Sequence, residues 1–232
     1  MSQKHSENVK VHFSNEWREY DAKIKKVIPF YNICFNVIID ILKQASHKPK
    51  SILDIGIGTG NLSLKLLDAF PKSKLTGIDL VDDFIDIARE KLINYSKNVK
   101  LECRDIKEFS FINKYDLIVT SFVFHHLENK EKKLIYKKIY GSLNQNGFFF
   151  NLDFVGSSSD YFYKLFDKLR IMLMQNEGLD KKTIKKDYIE HRALEIPVPD
   201  REQMIWLEKI GFQDIECFWK YINLSVFGGR KI

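Results

Sequence analysis

The run Asp54-Ile55-Gly56-Ile57-Gly58-Thr59-Gly60 constrains this chain more than any other segment. It closes a short apolar stretch that begins at Ser51-Ile52-Leu53, and it opens onto residues 61–68, which read as a helix. Glycine at alternate positions permits a tight strand-to-helix turn and lets a ligand approach the backbone with no Cβ in the way. In an open parallel sheet such a turn lies beyond the carboxyl end of its strand, where ligands bind. The neighbouring sequence supports that architecture. Apolar strands are expected at residues 51–55, 74–80, 98–103, 115–120 and 147–153, separated by helices over 61–68, 82–91 and 130–143. Strands alternating with helices at this spacing indicate βαβ units.

The flanks differ from this core. Residues 1–50 place Ile24, Val27, Ile28, Tyr31, Phe35, Ile38, Ile41 and Leu42 on one helical face, with Pro29 expected to break or kink the run. Gly156-Ser157-Ser158-Ser159 introduces two helices, about 160–175 and 181–191, that do not fit the alternation. A helix over 201–210 ends at Gly211 and is followed by strands at 214–219 and 222–228. The expected fold is α/β: a doubly wound, seven-stranded, mostly parallel sheet with an antiparallel last strand, plus N-terminal helices and a helical insertion. It divides as one domain over 1–232, with a helical cover (1–50), a core (51–154), a lid (155–195) and a closing helix and strand hairpin (196–232).

Composition narrows the function classes. Most of the +6 net charge arises in residues 1–50, where nine Lys or Arg face five acids. No dense basic stripe or nucleic-acid module is apparent, and lysine far outnumbers arginine, which disfavours an RNA partner without excluding it. No apolar run is long enough to cross a bilayer, and Met1-Ser2-Gln3-Lys4-His5 leads into no apolar signal core, so a cytoplasmic protein with no membrane partner is expected. Cys34, Cys103 and Cys217 lie among apolar residues and read as buried thiols, with no metal site.

Two other ligand classes fit the glycine run poorly. The dinucleotide fingerprint needs G-x-G-x-x-G, but Asn61 occupies the third glycine position and Gly60 comes one residue early. No Gly-Lys-Ser/Thr follows, so a phosphate loop is disfavoured. Asp54, beside the turn, would repel pyrophosphate but can hold an ammonium or orient the backbone. Asp79 ends the second strand before Leu80, where a carboxylate can accept both hydroxyls of a ribose. After the third strand, Asp105 can receive an adenine amino group while Ile106 packs on the ring.

These motifs in order, Ile52 through Gly60, Gly77-Ile78-Asp79, Asp105 and Tyr115-Asp116-Leu117-Ile118-Val119, resemble those of the class I S-adenosylmethionine (SAM)-dependent methyltransferases. The resemblance implies SAM as cofactor, with Gly56, Gly58 and Gly60 on the methionine and ribose side, Asp79 at the ribose, and Asp105 with Ile106 at the adenine. A finer likeness runs through Phe13 to Asp21, Ile28-Pro29-Phe30-Tyr31 and Phe218-Trp219-Lys220-Tyr221. It is to small methyltransferases related to the carboxy-SAM synthases of tRNA wobble-uridine modification. Those synthases hold the extra carboxylate partly through an arginine in the helix before an Ala/Ile-Gly-Phe turn. Alignment on Ile210-Gly211-Phe212 places Trp206 there, with Arg192 or Arg201 as substitutes. The resemblance therefore implies methyl transfer first, and a tRNA-modification or carboxy-SAM synthase-like activity as the alternative.

Methyl transfer from a sulfonium needs alignment more than covalent catalysis. The loop Ser121-Phe122-Val123-Phe124-His125-His126 follows the fourth strand and is expected at the methyl group, with Ser121 and Phe122 against the cofactor. His125 or His126 can take a proton from an oxygen or nitrogen acceptor. Tyr20 is expected over the cofactor, and Tyr31, Phe124 and Arg192 around the acceptor. A small-molecule acceptor is the first expectation, in a monomer or homodimer.

Overall fold

The computed structural model describes residues 20–190, 192 and 194–232. Helices α1 (Tyr20–Val27) and α2 (Tyr31–Gln44) precede β1 (Ser51–Ile55), α3 (Asn61–Ala69), β2 (Lys74–Asp79), α4 (Asp82–Lys91), β3 (Val99–Cys103) and β4 (Tyr115–Ser121). There follow a 3-10 turn (Phe124–His126), α5 (Asn129–Ser142), β5 (Leu143–Phe154) and α6 (Asp160–Asn176). The short α7 (Lys181–Ile184) continues as a π-helical segment (Lys185–Glu190), before α8 (Asp200–Ile210), β6 (Gln213–Tyr221) and β7 (Leu224–Arg230).

The strands form one sheet in the order β3-β2-β1-β4-β5-β7-β6. Pairing is parallel from β3 through β5, and β7 runs antiparallel to both its neighbours. The expected fold class is therefore the one observed. Alternation builds two cores from the same strands, because successive side chains point to opposite faces. Leu117 and Val119 of β4, with Phe150 and Leu152 of β5, pack on α2, α3 and α4. Ile118 and Phe149 face the other way, onto Tyr136 and Ile139 of α5 and Leu207 of α8.

Pro29 does interrupt the N-terminal run. Helix α1 stops at Val27, and Phe30 turns left-handed (φ 60°) before α2. The insertion is tied to α1 by a third apolar cluster, Met174, Ile184 and Tyr188, against which Val27 packs. Ser159 Oγ caps α6 by accepting from Phe162 N, and Asp180 caps α7 by accepting from Lys182 N and Thr183 N.

Several local expectations need correction. β5 begins at Leu143, where the sequence suggests a helix end, because Leu143 is already extended (φ −75°, ψ 138°) and pairs with Tyr115. Ile222 is not in a strand: it is left-handed (φ 57°) and turns the β6–β7 hairpin. Of the three thiols only Cys34 is buried. Cys103 is exposed at the end of the sheet's edge strand, and Cys217 is half-buried. Among the described residues no helix is long and apolar enough to cross a membrane, and no cluster of ligating side chains could hold a metal ion.

Candidate active site

The glycine turn is fastened to the end of β2. Gly56 N and Ile57 N both donate to Ile78 O (2.8 and 3.0 Å), while Gly58 N donates to Asp79 Oδ2 (2.8 Å) and Val81 N to Asp79 Oδ1 (2.9 Å). Gly56 (φ 70°) and Gly58 (φ 53°) are left-handed, and a Cβ on Gly58 would meet nothing within 4 Å among the described residues, so they leave that stretch of backbone open to an incoming molecule. Each oxygen of Asp79 keeps a lone pair after its backbone bond. Burial raises the Asp79 pKa, opposed by those same backbone donors.

In front of this turn lies a cleft of about 830 Å³, open solvent at its mouth included. Ile78, Val81, Phe84, Ile106 and Leu127 give it an apolar lining, and Asp79, Arg104, Asp105 and His126 bring polar groups to it. Lys107 N donates to Asp105 Oδ1 (2.9 Å), which fixes that carboxylate at the wall. An apolar slot bounded by two carboxylates, with bare backbone at one end, fits a nucleoside carrying a positive charge. SAM matches it, and supplies a methyl group on a sulfonium. In that fit Asp79 would hold the ribose, Asp105 with Ile106 the adenine, and Gly56 and Gly58 the amino-acid end.

The cleft also takes in Leu80, Ser121 and Phe122, as the sequence suggests. Phe122 holds a left-handed conformation (φ 60°) and donates its N–H to Leu152 O (2.9 Å), which turns the β4 loop into the cleft. Other expected residues lie elsewhere. Asp54 is fully buried behind the turn, where Ser63 Oγ donates to its Oδ2 (2.6 Å). Burial pushes its carboxyl up to about 7. Gly60 caps α3, and a Cβ there would face Ala88. Tyr31 stacks behind Phe122 (6.1 Å), its hydroxyl accepting from Asn61 Nδ2 (3.1 Å). Phe124 is wholly buried against Tyr136 (4.7 Å) and forms core, not pocket. Arg192 is paired with Asp167 (3.0 Å) in the insertion. Tyr20 begins α1, but its side chain lies outside the described residues.

The two histidines take different places. His126 lines the cleft, and its Nδ1 lies 3.4 Å from Leu194 O. His125 sits one layer back, 2% exposed, with Nδ1 against Asp153 Oδ1. Asp153 is held in turn, accepting from His125 N and Phe154 N (2.9 Å each). Burial pulls the His125 pKa down, but the charge and hydrogen bond of Asp153 outweigh it and the pKa rises. A carboxylate that orients an imidazole and stabilises its protonated form is a base arrangement suited to taking a proton from an acceptor.

Sequence reasoning missed Asp153, although it stands at the carboxyl end of β5 in Asn151-Leu152-Asp153, beside the loop after β4. It also missed Asp21 as an anchor for α1. Asp21 accepts from Thr59 Oγ1 (2.6 Å), Asn61 Nδ2 (2.8 Å) and Lys91 Nζ (2.6 Å), so the helix is fastened to the back of the glycine turn.

Comparison with known proteins agrees with this geometry. A protein-family model described as a methyltransferase domain matches residues 52–147. Magnesium protoporphyrin IX methyltransferase from Synechocystis, solved with bound SAM, superposes with a TM-score of 0.67 at 13% identity, covering 98% of this chain and 97% of that one. Human N-acetylserotonin methyltransferase in complex with SAM gives a TM-score of 0.58 at 13% identity over 92% of this chain. This chain spans only 57% of that longer protein. Fold, motif block and cleft together define a class I SAM-dependent methyltransferase, an enzyme that uses SAM. Within that class the chain is similar along most of its length to carboxy-S-adenosyl-L-methionine synthases. It is 28% identical to that of Helicobacter pylori (strain P12) and 26% identical to that of Campylobacter lari, in each case over 91% of this chain and 90% of the relative.

Proposed function

We propose that this enzyme moves the SAM methyl group to an oxygen or nitrogen of a small molecule. The observation that carries the reading is the pairing of His125 with Asp153 directly behind the cleft wall formed by Phe122 and His126. Asp79 and Asp105 would position the cofactor, His126 would face the acceptor, and His125 would hold the proton released from it. The insertion favours a small acceptor over a polymer, because residues 194–196 are stitched onto the histidine loop. Ile196 N donates to His125 O (2.6 Å), and Lys132 Nζ bridges Leu127 O (2.7 Å) and Ile196 O (2.5 Å).

The similarity to carboxy-SAM synthases supports a second reading, in which the chain makes or uses a carboxylated cofactor. Trp206 speaks against it: its ring packs in the core beside α5, under Lys133 Nζ at 4.4 Å, and offers no cation to a carboxylate. Calorimetry is expected to show S-adenosylhomocysteine binding at micromolar strength with negligible NADH binding. Intact-mass analysis of ligand retained through purification distinguishes SAM from a cofactor heavier by one carboxylate. Tighter binding of NADH overturns the cofactor assignment, and retention of the carboxylated form replaces the first reading with the second.

A further inference from the structure

Arg170, on α6, is a buried charge that the reaction as described does not use. It is 3% exposed, with its guanidinium carbon 3.8 Å from the centroid of Phe154 and 4.4 Å from that of Tyr188. Its Nε and Nη1 are buried and meet no hydrogen-bond acceptor among the described residues. Of the nearby acids described, Asp167 is engaged with other groups, whereas the buried Glu195 Oε2 has no hydrogen-bond partner among the described residues and its charge acts on Arg170 from a distance. Asp167 pairs with Arg192 (3.0 Å) and accepts from Tyr188 OH (2.8 Å), and Glu195 lies 3.7 Å from Arg192 Nη1.

Burial lowers the pKa of Arg170, but a guanidinium stays protonated at neutral pH. It presents five N–H donors in a rigid planar fork. Two aromatic faces satisfy its charge in part and its donors not at all. Buried donors without partners are rare in folded proteins, and each calls for a cause.

The position supplies one. Phe154 is the last residue of β5, and its ring centroid is 5.4 Å from that of Phe122 in the cleft wall and 5.6 Å from that of His125. One aromatic ring therefore separates the guanidinium from both the cleft wall and the His125–Asp153 pair. We propose that Arg170 receives a carboxylate of the methyl acceptor, with Phe154 and Tyr188 against the apolar part of the same molecule. The inference rests on the cleft being the SAM site, and it narrows the acceptor to small carboxylic acids with an apolar body. A planar fork matches a carboxylate through two parallel bonds. Arg192, which the sequence suggests for this task, instead lies over Tyr163 (4.5 Å) and is held by Asp167 and Glu195.

The test uses the full chain, with and without S-adenosylhomocysteine, and benzoate as probe with benzamide as its neutral counterpart. Benzoate is expected to raise the unfolding temperature of the wild type while benzamide does not. Arg170→Lys is expected to bind benzoate about tenfold more weakly or worse, and Arg170→Met to lose the effect entirely. A guanidinium kept for a ligand predicts that Arg170→Met unfolds no lower than the wild type, since an unpartnered charge has been removed. Equal benzoate protection in wild type and Arg170→Met overturns the proposal. So does absence of protection in the wild type, or an Arg170→Met variant that unfolds well below it. Binding of S-adenosylhomocysteine should be the same in all three proteins. Its failure in the wild type would refute the cofactor assignment instead, while the benzoate arm without cofactor still reads Arg170.

Discussion

Replacing Asp54 by asparagine should change how stability depends on pH, and the size of the change follows from where the carboxyl sits. Asp54 is fully buried behind the glycine turn, its Oδ2 accepts from Ser63 Oγ, and its Oδ1 has no partner among the described residues. Burial pushes its pKa up to about 7, with the charge of Asp79 adding to the rise and Ser63 opposing it. An unfolded aspartate titrates near 3.9, so the folded value is higher by roughly three units, at about 1.36 kcal/mol each. The folded chain thus prefers the protonated form, and the stability this confers is fully present below about pH 4. As pH rises towards 7 the unfolded chain loses its proton while the folded chain keeps it. About 4 kcal/mol is lost across that window, and nothing further above it. The amide of the Asp54→Asn variant still offers an oxygen to Ser63 but does not titrate. Urea unfolding of both proteins, followed by circular dichroism in steps between about pH 4 and 8, cancels the contributions of all other groups. The difference in unfolding free energy should move by about 4 kcal/mol towards the variant as pH rises. A constant difference would show that Asp54 is ionised in the fold and that its burial is compensated.

Asp79→Ala removes the carboxylate that can bond both ribose hydroxyls, so S-adenosylhomocysteine should bind about tenfold more weakly or worse by calorimetry. Unchanged affinity in a folded variant would remove Asp79 from the cofactor site. Once an acceptor is in hand, His125→Ala and Asp153→Asn should each lower the methyl-transfer rate by about a hundredfold or more while keeping cofactor affinity. Because Asp153 raises the His125 pKa, wild-type activity should climb with pH through a value above the usual 6.5 of histidine, and Asp153→Asn should shift that limb downwards. A limb that stays in place would mean that another group carries the proton.

The parts of this molecule that can be read from the sequence are those encoded locally. The glycine turn, Asp79 and Asp105 each sit at the end of an apolar run whose strand character is plain, and the carboxyl end of a parallel strand is where a site must lie. The acceptor side is less legible, because its geometry depends on one residue of phase. In Phe122-Val123-Phe124-His125-His126 the left-handed bend at Phe122 sends Phe122 and His126 to the cleft, and Phe124 and His125 inward. Nothing in the residue types marks that bend. Asp153 and Arg170 are separated in sequence from the groups they meet, by 28 residues in the case of Asp153 and His125. The proposal of Arg170 over Arg192 turns on Asp167 being paired with Arg192, a contact across 25 residues that no local pattern announces.

The strand order has a consequence for how the molecule forms. Strand β6 precedes β7 in the chain but has no other neighbour in the sheet, since β7 lies between it and β5. β6 therefore cannot join the sheet ahead of β7: either β7 pairs with β5 first or the two dock together as a hairpin. Until β7 pairs, β5 is an open edge from Phe148 to Phe154, the stretch that carries Asp153. Five parallel strands with the glycine turn can assemble first, as a platform able to recognise nucleoside. The group that orients His125 would then still lie on an unpaired strand. Recognition of cofactor and competence for chemistry would be acquired in that order, separated by the pairing of β7 with β5.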